Sequence, residues 1–359
     1  MPNYRERQAK VSRKLARSRW DALLVTQMVN IRYLCGFTGS AGIMVLTRSG
    51  AEFFTDGRYT QQARTEVAGV EKIVSKGDPF LQALDALKRG KTKSLGLDFA
   101  HLPVATFKQI EQQLGNRVKF KDGSGMIEGL RAIKDPDEIS EIRSAVNLGA
   151  ALFPTALKHI RPSVRESQIA AEIEHEARRL GAEGMSFDTI VAGGARSALP
   201  HGRATNQRLP KRGFVVLDFG VILTGYCSDM TRTVHIGKVD AGGRRMYDAV
   251  LLAQQAAIKK VGPGVAVSAV DGAARSVLDR AGVGQYFTHS TGHGVGLEIH
   301  EAPRIASGQN QKLQPGMVVT VEPGIYVPGV GGVRIEDMVL VTDRGREILT
   351  PTTKKLITI

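Results

Sequence analysis

The stretch GFVVLDFGVILTGYCSDMTRTVHI, residues 213–236, decides how the carboxy-terminal half of the chain folds. Its dense β-branched residues predict two strands, and ILTG between them can turn the chain. Asp218 and Asp229 interrupt these runs, where a strand normally carries apolar side chains. If the turn centres between Leu223 and Thr224, the two aspartates lie directly opposite each other in an antiparallel pair, about 5 Å apart. Two solvent-facing acids on an edge hairpin are the alternative, but apolar neighbours surround Asp218 on both faces.

Two further acidic residues occur in the same kind of setting. Glu322 follows a β-branched run in MVVTVEPGIYV, and Glu336 lies inside another in GGVRIEDMVLV. Four ionised carboxylates near one another in central strands would destabilise a domain unless positive charge balances them. Arg334 supplies one charge and is expected to orient the Glu336 carboxylate from the same strand face. Two divalent cations would balance all four acids, so the pattern predicts a paired-metal centre.

An imidazole for this centre is found in THSTGHGVGLEIHEAP, residues 288–303. His293 lies between glycines that let the backbone approach closely, and His300 follows seven residues later. No second histidine follows His300 at the spacing of an HExxH zinc site, and no strand with a suitable acidic residue supports a dinucleotide fingerprint. The clustering of His289 with these two histidines favours a functional site over separate structural roles.

The chain is predicted to form two domains, residues 1–130 and 131–359. The first alternates strand patterns such as DALLVT, AGIMVLT and AEFFTD with helical ones such as PFLQALDALKRG, which predicts a small α/β domain. A new helix is expected near the start of the second domain, with Asp135 as its cap and Pro136 at its first position.

An internal repeat with an offset of 101 residues is visible in the second domain. Pro162 aligns with Pro263 and Gly181 with Gly282, and each pair brackets a predicted amphipathic helix followed by β and glycine character. Two α/β halves packed face to face would place a site at their shared sheet.

Composition narrows the classes of function. The net charge of +14 is spread along the chain outside a basic amino-terminal helix, without the aromatic platform that single-strand nucleic-acid binding needs. We therefore expect no nucleic-acid partner. No stretch is long and apolar enough for a membrane span or a secretory signal, and the two cysteines, Cys35 and Cys227, match no disulfide pattern. A cytoplasmic protein without a membrane partner is the expectation.

The acids and the histidine together resemble a known family. Their order, in the settings LDFG, SDMTRT, TGHGVGLEIHE, VEPGIY and VRIED, closely resembles the pita-bread metallopeptidases, which include aminopeptidase P, prolidase and methionine aminopeptidase. NIRYLCGFTGSAG and FFTDGRYTQQA resemble the creatinase-like amino-terminal domain of the first two. SALPHG, with His201, resembles the proline-specific branch. The resemblance implies a mixed α/β (α+β) fold with a pita-bread catalytic domain, and five metal ligands: Asp218, Asp229, His293, Glu322 and Glu336.

The function implied is a Xaa-Pro aminopeptidase that removes the first residue from short peptides with proline in second position. A Xaa-Pro dipeptidase (prolidase) is the alternative, and a metal-free pita-bread binding protein is a third reading, which the intact ligand set disfavours. The resemblance also implies two divalent ions, manganese above cobalt or zinc, and a homodimer. Glu322 is expected to accept a proton from the attacking water. His201 and His300 are expected to stabilise the tetrahedral oxyanion, each by about 10²-fold in turnover.

Overall fold

The computed structural model describes residues 2–359, and the chain divides into two compact units between Arg131 and Ala132. Each unit combines helices with β-sheet, so the predicted mixed α/β class is confirmed. Within residues 2–359, no helix has both the length and the apolar character needed to cross a bilayer.

The amino-terminal unit is built on a six-stranded mixed sheet with the order β4-β3-β2-β1-β5-β6. Its strands are β1 Ala22–Val25, β2 Ile43–Thr47, β3 Ala51–Asp56, β4 Glu71–Ser75, β5 Ser94–Leu97 and β6 Lys119–Asp122. Its helices are α1 Tyr4–Ser18, α2 Met28–Cys35, α3 Thr60–Glu66, α4 Pro79–Arg89, α5 Val104–Leu114 and α6 Glu128–Arg131.

Local sequence signals explain most of these elements. Asp78 caps α4 by accepting a hydrogen bond from Phe80 N at 2.8 Å, and Pro79 occupies the first position of the helix. The three strand patterns and the helix that the sequence predicted in this unit are all present. Helix α2 was not predicted, because eight residues of mixed polarity give too short a periodic pattern.

The carboxy-terminal unit contains five helices and thirteen strands among its residues. The helices are α7 Pro136–Ala151, α8 Phe153–His159, α9 Glu166–Arg179, α10 Ala241–Lys260 and α11 Val267–Arg280. The strands are β7 Gly184–Met185, β8 Ile190–Gly193, β9 Gly213–Phe219, β10 Val221–Leu223, β11 Tyr226–Cys227, β12 Met230–Ile236, β13 Gly292–Gly294, β14 Glu301–Ile305, β15 Val318–Val321, β16 Gly324–Val327, β17 Gly331–Arg334, β18 Asp337–Thr342 and β19 Gly345–Ile348.

Two similar halves make up this unit. In the first half, α8 and α9 pack against the sheet β12-β9-β8, and in the second, α10 and α11 cover the sheet β14-β13-β15-β18-β19. Helices α9 and α11 begin and end 101 residues apart, which is the offset of the predicted repeat. The predicted helix α7 begins as expected, with Asp135 as its cap and Pro136 at its first position, and Glu138 completes a capping box that was not predicted.

The hairpin of residues 213–236 differs from its predicted register. Asp218 pairs with Thr231, so the prediction that it lies directly opposite Asp229 is wrong. The chain turns at Thr224 and Gly225, one residue later than expected, and both residues have positive φ. Glycine tolerates this conformation in a two-residue hairpin turn. Because the turn lies one residue later, each residue of the first strand pairs with a residue two positions further along the second strand. Asp229 therefore lies two residues before the partner of Asp218, just ahead of β12.

Candidate metal centre

A cleft of about 740 Å³ lies where the two halves of the carboxy-terminal unit meet. Residues from both halves line it. All of the residues that the sequence singled out for metal binding or catalysis are among its lining: His201, Asp218, Asp229, His293, His300, Glu322, Arg334 and Glu336.

The four acids lie in strands or in the residues that join them, and all four line this cleft. Asp218 lies within β9, as predicted, whereas Asp229 lies in the break between β11 and β12. Glu322 directly follows β15. Glu336 lies between β17 and β18, so the prediction that it is inside a strand is wrong. Because Glu336 lies outside both strands, its backbone N–H is free of their pairing and donates to the carbonyl of Thr231 at 3.2 Å.

His293 brings a nitrogen to the acids. Its Nε2 lies 3.6 Å from Asp229 Oδ2 and 3.4 Å from Glu322 Oε1. One ligand atom from each of Asp229, His293 and Glu336 lies within 4.8 Å of the other two. Nδ1 of His293 is 3.0 Å from the carbonyl of Gly294, so with the proton on Nδ1 the imidazole presents an Nε2 lone pair to the acids. These distances suit the binding of cations among the acids and this imidazole.

Close backbone approach makes the position of His293 feasible. A Cβ atom added to Gly294 would lie 2.3 Å from the carbonyl oxygen of Ala302, so any other residue there would force β13 and β14 apart. The N–H of His293 donates to Thr320 Oγ1 at 3.0 Å, and that hydroxyl lies 3.2 Å from Glu322 Oε1. A single threonine thus links two predicted ligands.

Arg334 occupies a different place from the one predicted. Its Nη2 donates to Asp218 Oδ2 at 2.6 Å, and its Nε donates to Thr231 Oγ1 at 3.1 Å. The Thr231 hydroxyl in turn donates to Glu336 Oε2 at 2.8 Å. Arg334 therefore orients Asp218 directly and reaches Glu336 only through Thr231.

The pKa values of the buried acids indicate that positive charge is needed to balance them. Burial raises the pKa of Asp229 well above its ordinary value, and the nearby charges of Glu336, Asp218 and Glu322 raise it further. Burial likewise raises the pKa of Glu336, and it raises that of Glu322 to about 8. Among residues 2–359, no hydrogen-bond partner reaches the buried oxygens Asp218 Oδ1 and Glu336 Oε1. The donor set and these two free oxygens fit divalent cations, which would supply the missing partners and charge.

Two histidines of the cleft, His293 and His300, have pKa values that favour their neutral form. Burial lowers the pKa of His293 to about 4, and burial followed by the charge of His201 lowers the pKa of His300. The ring centroids of His293 and His300 are 4.4 Å apart. A neutral imidazole can act as a metal ligand or donate a hydrogen bond to an oxyanion, which are the two roles proposed for these side chains.

Several residues that shape the site were not identified from the sequence. Tyr326 accepts a hydrogen bond from Arg334 Nη1 at 2.7 Å and lies 2.8 Å from Nε2 of His289. Thr231 and Thr320 support the acids, and Arg304 lines the cleft. In SDMTRT, Thr231 lies two residues after Asp229, and strand alternation could have placed both side chains on the same face. No local pattern marks Tyr326 or Arg304.

Comparisons with known proteins agree with this geometry. Residues 140–343 match the model of metallopeptidase family M24, and residues 7–133 match the creatinase/prolidase amino-terminal domain. These matches confirm the predicted family resemblance and the two kinds of domain.

Individual relatives cover nearly the whole chain. A Xaa-Pro dipeptidase of Pyrococcus horikoshii is 37% identical over 94% of this chain and 94% of its own length. The solved structure of a Xaa-Pro dipeptidase from Bacillus anthracis is 38% identical, with a TM-score of 0.96 over 99% of this chain and 100% of that one. An X-Pro aminopeptidase from Thermotoga maritima is 35% identical, with a TM-score of 0.90 over 96% of this chain and 100% of that one.

Proposed function

The chain belongs to metallopeptidase family M24 and is a metallo-hydrolase, and from that premise we propose that it is a Xaa-Pro dipeptidase that cleaves dipeptides with proline in second position. The aminopeptidase activity expected first from the sequence is not confirmed. The alternative, dipeptidase activity, has better support because Xaa-Pro dipeptidases are prominent among the similar proteins.

We assign the metal ligands as the sequence suggested. Asp218 and Asp229 would hold one divalent ion, His293 would hold the other, and Glu322 and Glu336 would be shared between them. Manganese is the proposed metal, since a site rich in carboxylate oxygen with one imidazole suits it. The free oxygens of Asp218 and Glu336 support this assignment.

The chain's own residues would carry the remaining steps. Divalent ions bound here would act as Lewis acids and lower the pKa of a water molecule, so that it could lose a proton and attack near neutral pH. Glu322 lines the same cleft and can accept a proton from that water and pass it to the leaving nitrogen of proline. His300 and His201 line the same cleft and can donate hydrogen bonds to the oxygen that becomes negative in the tetrahedral state.

The position of Arg304 in the cleft favours dipeptidase activity. It pairs with His293 across β13 and β14, so its side chain begins one cross-strand distance from a proposed metal ligand. Among residues 2–359, none forms a hydrogen bond or ion pair with its guanidinium, which lines the cleft. A dipeptide ending in proline carries a carboxylate directly after the cleaved bond, and a free guanidinium is well suited to bind it.

Substitution of Arg304 tests this proposal. We expect Arg304→Met to raise KM for a Xaa-Pro dipeptide by about 10- to 100-fold, because hydrogen bonds to charged groups contribute about 1.5–3 kcal/mol. Hydrolysis of the same peptide as its carboxamide should be slow in the native protein and unchanged by the substitution. Arg179→Met, on the exposed face of α9, is the control and should leave both reactions unaffected.

The second candidate is a Xaa-Pro aminopeptidase, which the similarity to the Thermotoga maritima structure favours. An aminopeptidase would cleave Xaa-Pro-Xaa tripeptides at least as fast as dipeptides, and Arg304→Met would affect the two substrates alike. That pair of results would reject the dipeptidase. A homodimer and a cytoplasmic location remain predictions.

A further inference from the structure

A buried carboxylate outside the metal centre lies at the start of α9. The Glu166 side chain is 1% exposed and does not line the cleft. Removing a carboxylate from water costs several kcal/mol unless hydrogen bonds and charge replace the lost hydration. Such a group adds little net stability to a fold, so the donors around it indicate what it holds in place.

The donors around Glu166 come from both ends of one loop. At the beginning of the loop, Gly193 N donates to Oε1 at 3.0 Å. At its end, Thr205 donates to Oε2 twice, from its N–H at 3.1 Å and from its hydroxyl at 2.7 Å. Arg196, within the loop, places Nε 3.1 Å from both carboxylate oxygens. The Glu166 carboxylate therefore holds the two ends of the segment 193–205 together.

This loop carries His201, which lines the cleft and is proposed to stabilise the oxyanion. The backbone is held on both sides of the histidine. Arg334 Nη1 donates to the carbonyl of Pro200 at 2.9 Å, and Arg196 Nη2 donates to the carbonyl of Arg203 at 2.8 Å. Arg334 also binds Asp218, so one side of the loop is tied to the metal centre and the other side to Glu166.

The second half of the unit contains a similar arrangement on α11. Asp271 is buried and accepts hydrogen bonds from the hydroxyl of Thr291 at 2.7 Å and from Arg275 Nε at 2.7 Å. Arg275 also donates to the carbonyl of His289, a residue of the cleft, at 2.6 Å. In each half, a buried acid on the outer helix uses an arginine and a threonine to fix a segment that brings a histidine to the cleft.

We propose that Glu166 is a positioning residue for catalysis: with Arg196 and Thr205 it holds the loop of residues 193–205 so that His201 reaches the reacting carbonyl. The inference rests on the proposed peptidase function and adds a residue that touches neither substrate nor metal. Misplacement of a catalytic group by about 1 Å can cost about 100-fold in rate, so the geometry of this loop matters for turnover.

A double-mutant cycle tests the proposal in the metal-loaded, full-length protein. Glu166→Gln places an amide NH₂ among N–H donors, which loosens the loop. We expect it to lower kcat for a Xaa-Pro dipeptide by about 10- to 100-fold, with KM and metal content little changed. In a chain that already carries His201→Ala, the same substitution should change kcat less than about twofold, because the group it positions is gone.

A matched control is available on the same helix. Glu176→Gln removes a carboxylate that pairs with Arg179 at 2.7 Å on the exposed face of α9 and should leave kcat unchanged in both backgrounds. If Glu166→Gln fails to fold, Thr205→Val replaces it in the cycle. That change removes only the hydroxyl donor and should lower kcat by a few fold, again without effect beside His201→Ala.

The outcomes separate this inference from the proposed function. If His201→Ala lowers kcat and Glu166→Gln lowers it further by the full factor, the positioning role is wrong while the peptidase assignment stands. Full activity of His201→Ala would overturn both the role of His201 and the inference. Loss of bound metal in Glu166→Gln would show that the carboxylate supports the metal centre rather than the loop, and would also overturn it.

Discussion

Removing the ammonium of Lys134 should destabilise the carboxy-terminal unit strongly. Lys134 Nζ lies 3.0 Å from Glu301 Oε2, and the two side chains are only 1% and 6% exposed. Glu301 follows His300 and begins β14, and its Oε1 accepts the N–H of Glu298 at 3.2 Å. The pair therefore anchors the segment that carries a proposed catalytic histidine. Lys134→Met keeps the length of the side chain and removes its charge.

The size of the effect follows from burial. Deleting one partner of a buried ion pair costs about 3–5 kcal/mol, because the remaining charge stays out of water without its counterion. A free-energy change of 1 kcal/mol shifts Tm by roughly 2–4 °C in a protein of about 150–250 residues. Lys134→Met should therefore lower the Tm of this unit by roughly 6–20 °C. Adding Glu301→Gln removes the carboxylate charge that Lys134 balances and should restore most of the loss.

Calorimetry of the metal-loaded protein, with the two single variants and the double variant, measures this coupling. The pair of Arg179 and Glu176, whose side chains are 63% and 19% exposed, is the control, and Arg179→Met should shift Tm by no more than the error of the measurement. A Tm for Lys134→Met equal to that of the control would refute the reasoning. So would a double variant as unstable as the lysine variant alone, because the loss would then come from packing rather than charge.

Two further predictions concern the metal centre. Asp229→Ala and Glu336→Ala should each abolish both bound metal and hydrolysis, as measured by elemental analysis and a dipeptide assay, and full activity without bound metal would reject the ligand assignment. Because burial raises the pKa of Glu322 from 4.5 to about 8, the metal-free fold binds a proton there more tightly than the unfolded chain does. Stability of the metal-free protein should therefore fall as pH rises from about 4.5 to about 8, and unfolding scans should show a weaker decline in Glu322→Gln.

The residues that line the candidate site could be singled out from the sequence because acids in strand-like runs have few explanations other than function. The hydrophobic pattern around Asp218 excludes a solvated surface, and the structure shows this residue buried. The exact register was not accessible in the same way. ILTGY allows turns centred on neighbouring bonds, and only the positive φ values of Thr224 and Gly225 in the folded chain select one of them.

The supporting contacts were harder to predict because they join residues far apart in sequence. Thr231 and Glu336 are separated by 105 residues, yet their hydrogen bond links the two halves. Glu166 and Thr205 are separated by 39 residues and meet only because α9 packs beside the loop. Hydrophobic periodicity locates helices and strands, but it does not report which buried polar groups become partners.

The division of the proposed ligands between the halves would give bound metal a role in folding as well as in chemistry. Asp218 and Asp229 come from the first half, whereas His293, Glu322 and Glu336 come from the second. Among the described residues that line the cleft, Arg334 is the cation that binds an acid of this group, and it bonds across the halves to Asp218 at 2.6 Å. One guanidinium does not balance four carboxylates, and in the metal-free chain burial and this shortage of positive charge together raise the pKa values of Asp229, Glu322 and Glu336. Divalent ions bound there would take ligands from both halves, so their binding energy would add to the free energy that holds the halves together.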